Sequence, residues 1–380
     1  MARRVFITGA AESPLGLVGD ESELSMVAVA ARSALAQAGL RLDEVDGLFV
    51  NYMGEEGSVQ VGEYLGVRPR YADSSDLGGA AFVAFLHHAF LAVSTGRCEV
   101  ALVAYASRQR SRRSRGFSRP EPPYALHAQF ESPYGLPLPV GAYALIAARH
   151  MHEFGTTPEQ LAEVAVSARR WAQLNPVAWS RGELSIADVL ASPPISEPLH
   201  RLDCCLVTDG GGAVVVTSAG AAASCSHPLV EITGVGESHG HWNISQMADL
   251  TVTDGVRSGR EAFAMAGLGP ADIDFVEPYD SFTITPILAF EDLGFCAKGE
   301  GGAFVSGGRL APGGALPAMT SGGGLSYCHP GALGLLLVIE AVRQLRGEAG
   351  ARQVPRHEVG LVHGVGGFCS TAATAVLIRA

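Results

Sequence analysis

Two tyrosines and one histidine stand at positions where they are able to exchange protons with a ligand. Tyr279 ends the predicted strand 275–279, and Tyr327 and His329 lie in the glycine-rich segment 321–330. Ligand-facing residues of α/β proteins collect at the carboxyl ends of strands. Glycines in turn let the backbone approach a ligand closely. Because phenol and imidazole groups serve as general acids and bases, the three residues are candidates for proton transfer.

Other kinds of chemistry have weaker support in the sequence. The seven cysteines are odd in number and stand in apolar or glycine-rich segments without zinc-type spacing, which favours a reduced cytoplasmic protein. Lys298, the only lysine, lies in a glycine-rich turn and is a poor candidate for an imine-forming aldolase. No cluster of His, Asp or Glu has metal-ligand spacing. We therefore expect no metal and no cofactor other than what the substrate carries.

The composition restricts the class of protein. The chain has 380 residues, of which 47% are hydrophobic and 17% charged, so it is able to bury a large core. A net charge of −11 argues against nucleic acid as a partner. The longest apolar run, 331–339, is too short to span a membrane, and the segment after Met1 is too short for a signal peptide.

The chain contains an internal repeat of three segments in the same order. The pairs are Val5–Ser13 with Val230–Ser238, Ala34–Leu40 with Ala262–Leu268, and Arg97–Val103 with Arg356–Val362. Each half predicts alternating strands and helices, and its apolar strands are typical of a sheet covered on both faces. We predict a first half at 1–106 and 204–225, an inserted domain at 107–203 and a second half at 226–380.

The repeat and three motifs together resemble a thiolase, most closely one of the sterol-carrier-protein type. The motifs are Arg-His-Met-His-Glu-Phe-Gly-Thr-Thr-Pro (149–158), Leu-Asn-Pro (174–176) and Cys-His-Pro-Gly (328–331). The resemblance covers nearly the whole chain. It implies an α/β fold in which two βαβαβ halves form five layers, αβαβα. The inserted loop domain would then bind acyl-CoA.

The resemblance also locates the site, and both thiolase cysteines are missing from it. Ser75 takes the place of the nucleophilic cysteine at a helix start, where we expect it to be the N-cap, and the segment 364–367 takes the place of the second cysteine. The amides of Ser75 and Gly366 would form an oxyanion hole. The basic run of the insertion supplies candidates for the CoA phosphates: Arg108, Arg110, Arg112 and Arg113, with Arg115 and Arg119 following them.

A site of this kind favours retro-aldol cleavage of a β-hydroxyacyl-CoA, which needs a base, an acid and an oxyanion hole but no covalent nucleophile. The sequence resembles bacterial thiolase-like aldolases that shorten steroid side chains with two tyrosines, in loops matching Tyr279 and Tyr327. One tyrosine would take the hydroxyl proton and the other would serve the enolate. His329, which such aldolases can lack, and two helix N-termini would lower the pKa of these tyrosines.

Three alternatives stay open at this point. The first is a thiolase or acyltransferase with Cys328 as nucleophile, the second is a condensing enzyme that uses Ser75, and the third is a non-catalytic acyl-CoA-binding subunit. The resemblance further implies a homodimer that pairs strands of the first half. It also implies a small partner protein with an OB fold and a zinc ribbon.

Overall fold

Strands from the two halves join edge to edge in the computed structural model, which describes residues 3–51, 56–113 and 122–380. The strands are β1 (Val5–Glu12), β2 (Gly47–Val50), β3 (Tyr71–Asp73), β4 (Val100–Ser107), β5 (Pro194–Ser196), β6 (Leu199–His200), β7 (Gly210–Ser218), β8 (Val230–His239), β9 (Phe275–Pro278), β10 (Val359–Gly366) and β11 (Thr371–Arg379). Their order in the large sheet is β3-β2-β4-β7-β1-β8-β11-β10-β9, and β5 pairs with β6 separately. The first half thus supplies five strands of this sheet and the second half four.

The helices alternate with the strands. They are α1 (Glu23–Ala38), α2 (Gly57–Leu65), α3 (Ala81–Ser94), α4 (Leu126–Phe130), α5 (Val140–Phe154), α6 (Pro158–Leu174), α7 (Ile186–Leu190), α8 (Gly255–Ala266), α9 (Ile284–Asp292), α10 (Gly301–Val305) and α11 (Gly334–Arg346). Helices α4 to α7 lie between β4 and β7, inside the predicted insertion. Each helix of the described residues is too short or too polar to cross a membrane.

The contacts between elements confirm the five predicted layers. Helix α1 packs on β1, β4 and β7, and helix α8 packs on β8 and β11. Helices α3 and α11 touch each other and contact strands of both halves, so they form the central layer. Two residue pairs, Phe6 with Glu231 and Ile7 with Val230, join β1 to β8 antiparallel. The large sheet therefore folds around the central helices.

One glycine in each copy of the repeat explains why that repeat is visible in the sequence. A Cβ atom on Gly9 would lie 1.9 Å from the carbonyl oxygen of Ala34, and one on Gly234 would lie 2.1 Å from that of Ala262. At both positions a helix rests directly on the strand, which only glycine permits. The two halves thus share the same strand–helix contact.

The local signals of the sequence predict some elements better than others. Helix α6 begins at a clear local signal, the capping box of Thr157 and Gln160. Strand β3 and helices α2, α5 and α9 lie outside the repeated segments of the sequence. Strand β3 is only three residues long and borders solvent at the edge of the sheet, so it lacks the apolar run that marks the buried strands.

Candidate active site

Tyr279 and His329 meet in the core of the second half. The Tyr279 hydroxyl and His329 Nε2 are 3.0 Å apart, and the backbone N–H of Leu333 donates to the same hydroxyl at 3.2 Å. Tyr279 follows β9 directly, and Leu333 precedes α11, so a strand end and a helix start converge on one oxygen. Only 4% of Tyr279 and 9% of His329 are exposed. The two side chains form a shielded, hydrogen-bonded pair.

Burial sets the protonation states of this pair. It raises the pKa of Tyr279 well above the usual 10, and the Leu333 N–H offsets only part of this effect. It lowers the pKa of His329 to about 4. The expected lowering of the tyrosine pKa by helix ends is therefore wrong for Tyr279. At neutral pH the pair consists of a protonated phenol beside a neutral imidazole, which is an acid next to a base.

Closely packed glycines make room for the Tyr279 ring. A Cβ on Gly79 would lie 2.4 Å from Cε2 of Tyr279, and one on Gly334 would lie 2.5 Å from the carbonyl oxygen of Gly79. Gly78 in turn touches Gly366 and Gly367, since a Cβ there would lie 3.0 Å from the Gly367 nitrogen. The starts of α3 and α11 and the end of β10 therefore meet around the tyrosine.

Ser75 does not occupy the place that the motif predicts for it. Its backbone N–H and its hydroxyl both donate to Asp73 Oδ1, at 2.9 and 2.7 Å. The first helical turn begins only at Gly78, and the N-cap of α3 is Ala80, so the predicted cap at Ser75 is wrong. Because the Ser75 amide is already bound, it does not serve an oxyanion. In that first turn the Gly78 amide is bound to Asp76 Oδ1 at 3.2 Å, and Gly79 lies against the end of β10, since a Cβ there would be 2.4 Å from the Val365 carbonyl oxygen.

Gly366 begins a turn to which the inserted domain is hydrogen-bonded. The Gly366 carbonyl accepts the N–H and hydroxyl of Ser370, both at 3.1 Å. The hydroxyl of Tyr143, on α5, donates to the carbonyl of Gly367 at 2.9 Å, and its ring stacks on Phe282 at 4.3 Å. Tyr143 was not predicted from the sequence, since an isolated tyrosine in a helix carries no motif.

Tyr327 has different surroundings from those predicted. Its hydroxyl donates to Glu12 at the end of β1, and Arg343 of α11 binds the same carboxylate at 2.5 and 2.8 Å. Arg343 lowers the pKa of Glu12 despite burial, which keeps the carboxylate charged. Tyr327 therefore completes an ion pair between the two halves. Its hydroxyl points to Glu12, and His329 rather than Tyr327 is the partner of Tyr279.

Cys328 is a poor nucleophile in this structure. It is 1% exposed, and its sulfur contacts the Thr208 hydroxyl at 3.1 Å and the Asp209 carbonyl at 3.6 Å. Burial raises the pKa of its thiol to about 12. Since the thiolate is the reactive form, Cys328 is chemically inert at neutral pH.

Three of the four arginines of this run that the structure describes are engaged within the protein. Arg108 donates to the Gly19 carbonyl, Arg110 donates to Val207 at 3.1 Å and lies over Trp179, and Arg112 binds Glu23 at 2.5 Å. Arg113 is exposed. Arg115 and Arg119 lie outside the described residues. Phosphate binding by this run stays a prediction, and Arg113 has the fewest side-chain contacts among its four described members.

A cavity of about 600 Å³ opens beside α5, away from the Tyr279–His329 pair. Its wall is mostly apolar and combines the inserted domain with the segment after β8, including Phe130, Leu136, Ala144, Leu145, Met247 and Leu250. The volume is in the range of small-molecule sites. Helix α5 turns one face to this cavity and reaches Gly367 through Tyr143, so it connects the cavity with the catalytic region.

Lys298 belongs to a buried polar network. Its ammonium donates to Asp292 and to the Thr251 carbonyl, both at 2.6 Å, and lies 3.0 Å from Glu291, which also binds His150 of α5. The side chains of Glu291 and Asp292 are fully buried. Lys298 thus balances two carboxylates, and this role agrees with its exclusion as an imine-forming residue.

We expect Lys298→Met to lower the free energy of unfolding by about 3 kcal/mol or more, because it leaves buried carboxylates without their cation. Turnover at 25 °C should change little. Denaturant midpoints measure the effect, with Arg257→Met as control, since Arg257 forms an exposed ion pair with Glu261 that contributes less than about 1 kcal/mol. Equal shifts for the two variants would contradict the structural role of Lys298.

The chain resembles known thiolase-type proteins both in sequence and in structure. Residues 236–379 match the family model "Thiolase C-terminal domain-like". The chain is 33% identical to an acetyl-CoA acetyltransferase of Methanothermobacter thermautotrophicus, with 99% of this chain and 100% of that one covered. It is 34% identical to a steroid side-chain-cleaving aldolase of Thermomonospora curvata, with 86% of both covered. The solved "Ltp2-ChsH2(DUF35) aldolase" superposes with a TM-score of 0.90 at 32% identity, over 99% of this chain and 98% of that one.

Proposed function

This chain belongs to the thiolase family, and we propose that it is a carbon–carbon lyase that cleaves a β-hydroxyacyl-CoA by a retro-aldol reaction. The observation that carries the proposal is the 3.0 Å contact between Tyr279 and His329, in a site where serine and glycine stand at the two thiolase cysteine positions. A neutral acid–base pair without a nucleophile suits a reaction that moves protons and forms no acyl-enzyme.

The reaction balances with this pair alone. The β-hydroxyl proton passes to the Tyr279–His329 pair while the Cα–Cβ bond breaks, and its electrons move onto the thioester carbonyl as an enolate. A carbonyl compound leaves, and the pair returns one proton to Cα to give the shorter acyl-CoA. The developing enolate oxygen needs preorganised donors, and we assign this task to the amides of Gly79 and Gly366.

We propose substrates of the class named for the Thermomonospora curvata relative, in which the acyl group is a steroid side chain. The apolar cavity beside α5 supports this choice, because it provides space for a bulky apolar group on the inserted domain. Arg113 is our remaining candidate for a CoA phosphate contact.

An acyltransferase is the second candidate, because the Methanothermobacter thermautotrophicus relative matches the whole chain under that name. Such a reaction requires a thiolate. The raised pKa and full burial of Cys328 count against it, and Asp73, which accepts the Ser75 hydroxyl, has a pKa of about 2 and is too weak a base to activate that hydroxyl. A non-catalytic role does not account for the buried hydrogen-bonded pair of Tyr279 and His329.

We also propose a homodimer and a partner protein. Strand β3 lies at the edge of the large sheet with Tyr71 and Ala72 exposed, so it is able to pair with a second copy. The solved aldolase that resembles this chain carries a second component, ChsH2(DUF35), in its name. We expect a protein of that kind to co-purify with this chain from its native host.

Product analysis tests the proposed reaction. With a β-hydroxyacyl-CoA, the protein should release a ketone or aldehyde and an acyl-CoA in equal amounts, and Cys328→Ala should turn over at the wild-type rate because it removes only a buried contact. Acetoacetyl-CoA with free CoA should give essentially no acetyl-CoA. Steady thiolysis that disappears in Cys328→Ala would establish the acyltransferase instead.

A further inference from the structure

Asp280 follows Tyr279 directly, and the proposed reaction leaves it without a role. It is fully buried, and its carboxylate accepts two consecutive backbone amides, Gly324 at 2.6 Å and Leu325 at 3.0 Å. These amides belong to the π-helical turn Gly323–Tyr327, which ends two residues before His329. Asp280 thus binds the glycine-rich segment from the loop after β9, which also carries the catalytic tyrosine.

The turn touches the imidazole of His329. A Cβ atom on Gly324 would lie 3.1 Å from Cδ2 of His329 and 3.2 Å from Oδ1 of Asp280, so this glycine separates the two side chains. On its other side the Gly324 carbonyl accepts the N–H of Leu206 at 2.9 Å. Thr208 holds the backbone of His329 in both directions, through N–H···O contacts of 2.9 and 3.2 Å. The ring position therefore depends on where Gly324 lies.

We propose that Asp280 is a positioning residue whose ionised carboxylate fixes Gly324 and thereby keeps His329 in contact with Tyr279. The inference deepens the proposed function and rests on it. A carboxylate accepts both amides, whereas a protonated carboxyl keeps one oxygen as a donor and leaves one amide without a partner. The turn then loosens, and the imidazole moves from the phenol. A misplacement of about 1 Å is enough to lower a rate by about 100-fold.

Its surroundings allow this carboxyl to titrate near neutrality. Burial raises the pKa of Asp280 from 3.8 to about 7, and the hydrogen bonds from the Gly324 and Leu325 amides limit this rise. The titratable groups around it are Glu277 in β9, Tyr279 between that strand and Asp280, Cys205 in the segment before β7, and His329 beyond Gly324. Burial raises the pKa of Tyr279 and Cys205 and lowers that of His329, so these three groups are neutral at pH 7, and burial also raises the pKa of Glu277. Activity should therefore rise with pH through about 7 as Asp280 ionises.

The test compares Asp280→Asn with a matched control, Asp274→Asn. Asp274 is another buried aspartate that accepts two consecutive amides, Glu358 and Val359 at 2.9 and 3.0 Å, but it lies at the opposite end of β9 and β10. We expect Asp280→Asn to lower kcat by about 10- to 100-fold with little change in KM and to abolish the rise in kcat through pH 7. Asp274→Asn should lose stability and keep the wild-type pH profile. A folded Asp280→Asn with wild-type kcat and pH profile would overturn the inference.

Two further measurements keep the test decisive. In ¹⁵N-histidine spectra, the His329 signal, identified by its loss in His329→Asn, should shift in Asp280→Asn and stay in place in Asp274→Asn. An unshifted His329 signal overturns the inference, whether or not the wild type is active on β-hydroxyacyl-CoA. Inactivity of the wild type by itself would overturn only the proposed function. Gly324→Ala, which displaces the ring and retains Asp280, should lower kcat and keep the rise through pH 7. Wild-type kcat in Gly324→Ala would count against the inference.

Discussion

Tyr279→Phe is expected to lower the kcat of retro-aldol cleavage by about 100- to 10,000-fold, the range for a lost general acid or base. The phenylalanine ring keeps its packing against Gly79, so the change removes only the hydroxyl that contacts His329 and the Leu333 amide. The free energy of unfolding should fall by about 1 to 3 kcal/mol, since one buried N–H loses its acceptor. Measuring kcat, KM and the denaturation midpoint on the same preparation separates the two effects.

Tyr327→Phe is the matched control for this variant. Tyr327 is also buried, and its substitution likewise removes one hydroxyl, but that hydroxyl binds Glu12, which keeps its ion pair with Arg343. We expect its kcat to stay within about tenfold of the wild type, because no proton-transfer group is lost. A comparable loss in both variants would restore Tyr327 as the second catalytic residue.

His329→Asn is expected to lower kcat by a similar factor, about 100- to 10,000-fold, because it removes the proton acceptor beside Tyr279. The low pKa of His329, about 4, means that the imidazole stays neutral above pH 5 and contributes no limb to the pH profile from 5 to 8. Activity of the wild type should therefore not fall from imidazole protonation until the pH approaches 4. Stopped assays from pH 5 to 9 measure this profile.

Combining His329→Asn with Tyr279→Phe tests whether the two residues act as a unit. Residues that share one step show strongly non-additive effects, so the double variant should be no slower than about the worse single variant. Multiplied losses would instead indicate two independent steps, with one residue serving the hydroxyl and the other serving the enolate.

The sequence predicted those features that local patterns encode. The repeat reflects glycines on which helices rest, and Tyr279 and His329 stand in short motifs at a strand end and before a helix. The partner of Tyr327 was not predictable in this way, because Glu12 comes from the other half and only the tertiary fold brings it near. Ser75 was misjudged for a local reason, since Asp73, two residues earlier, binds both its amide and its hydroxyl.

Asp280 and Thr208 illustrate another limit. Each affects His329 through hydrogen bonds to the backbone, and such contacts produce no recognisable spacing or composition in a single sequence. The only available signal was the position of Asp280 beside Tyr279 in the segment Tyr-Asp-Ser-Phe. Neighbours of a suspected catalytic residue therefore merit the same attention as the residue itself.

The site is built across the boundary between the two halves, and this restricts how the chain is able to exchange parts with its relatives. Thr208 and Glu12 come from the first half, whereas His329, Tyr327 and Arg343 come from the second. A chimera recombined between β7 and β8 inherits the two sets from different parents. The loop that carries Tyr327 and His329 keeps its contacts only where both parents supply compatible residues at these positions. The two halves therefore have to evolve as one interdependent unit.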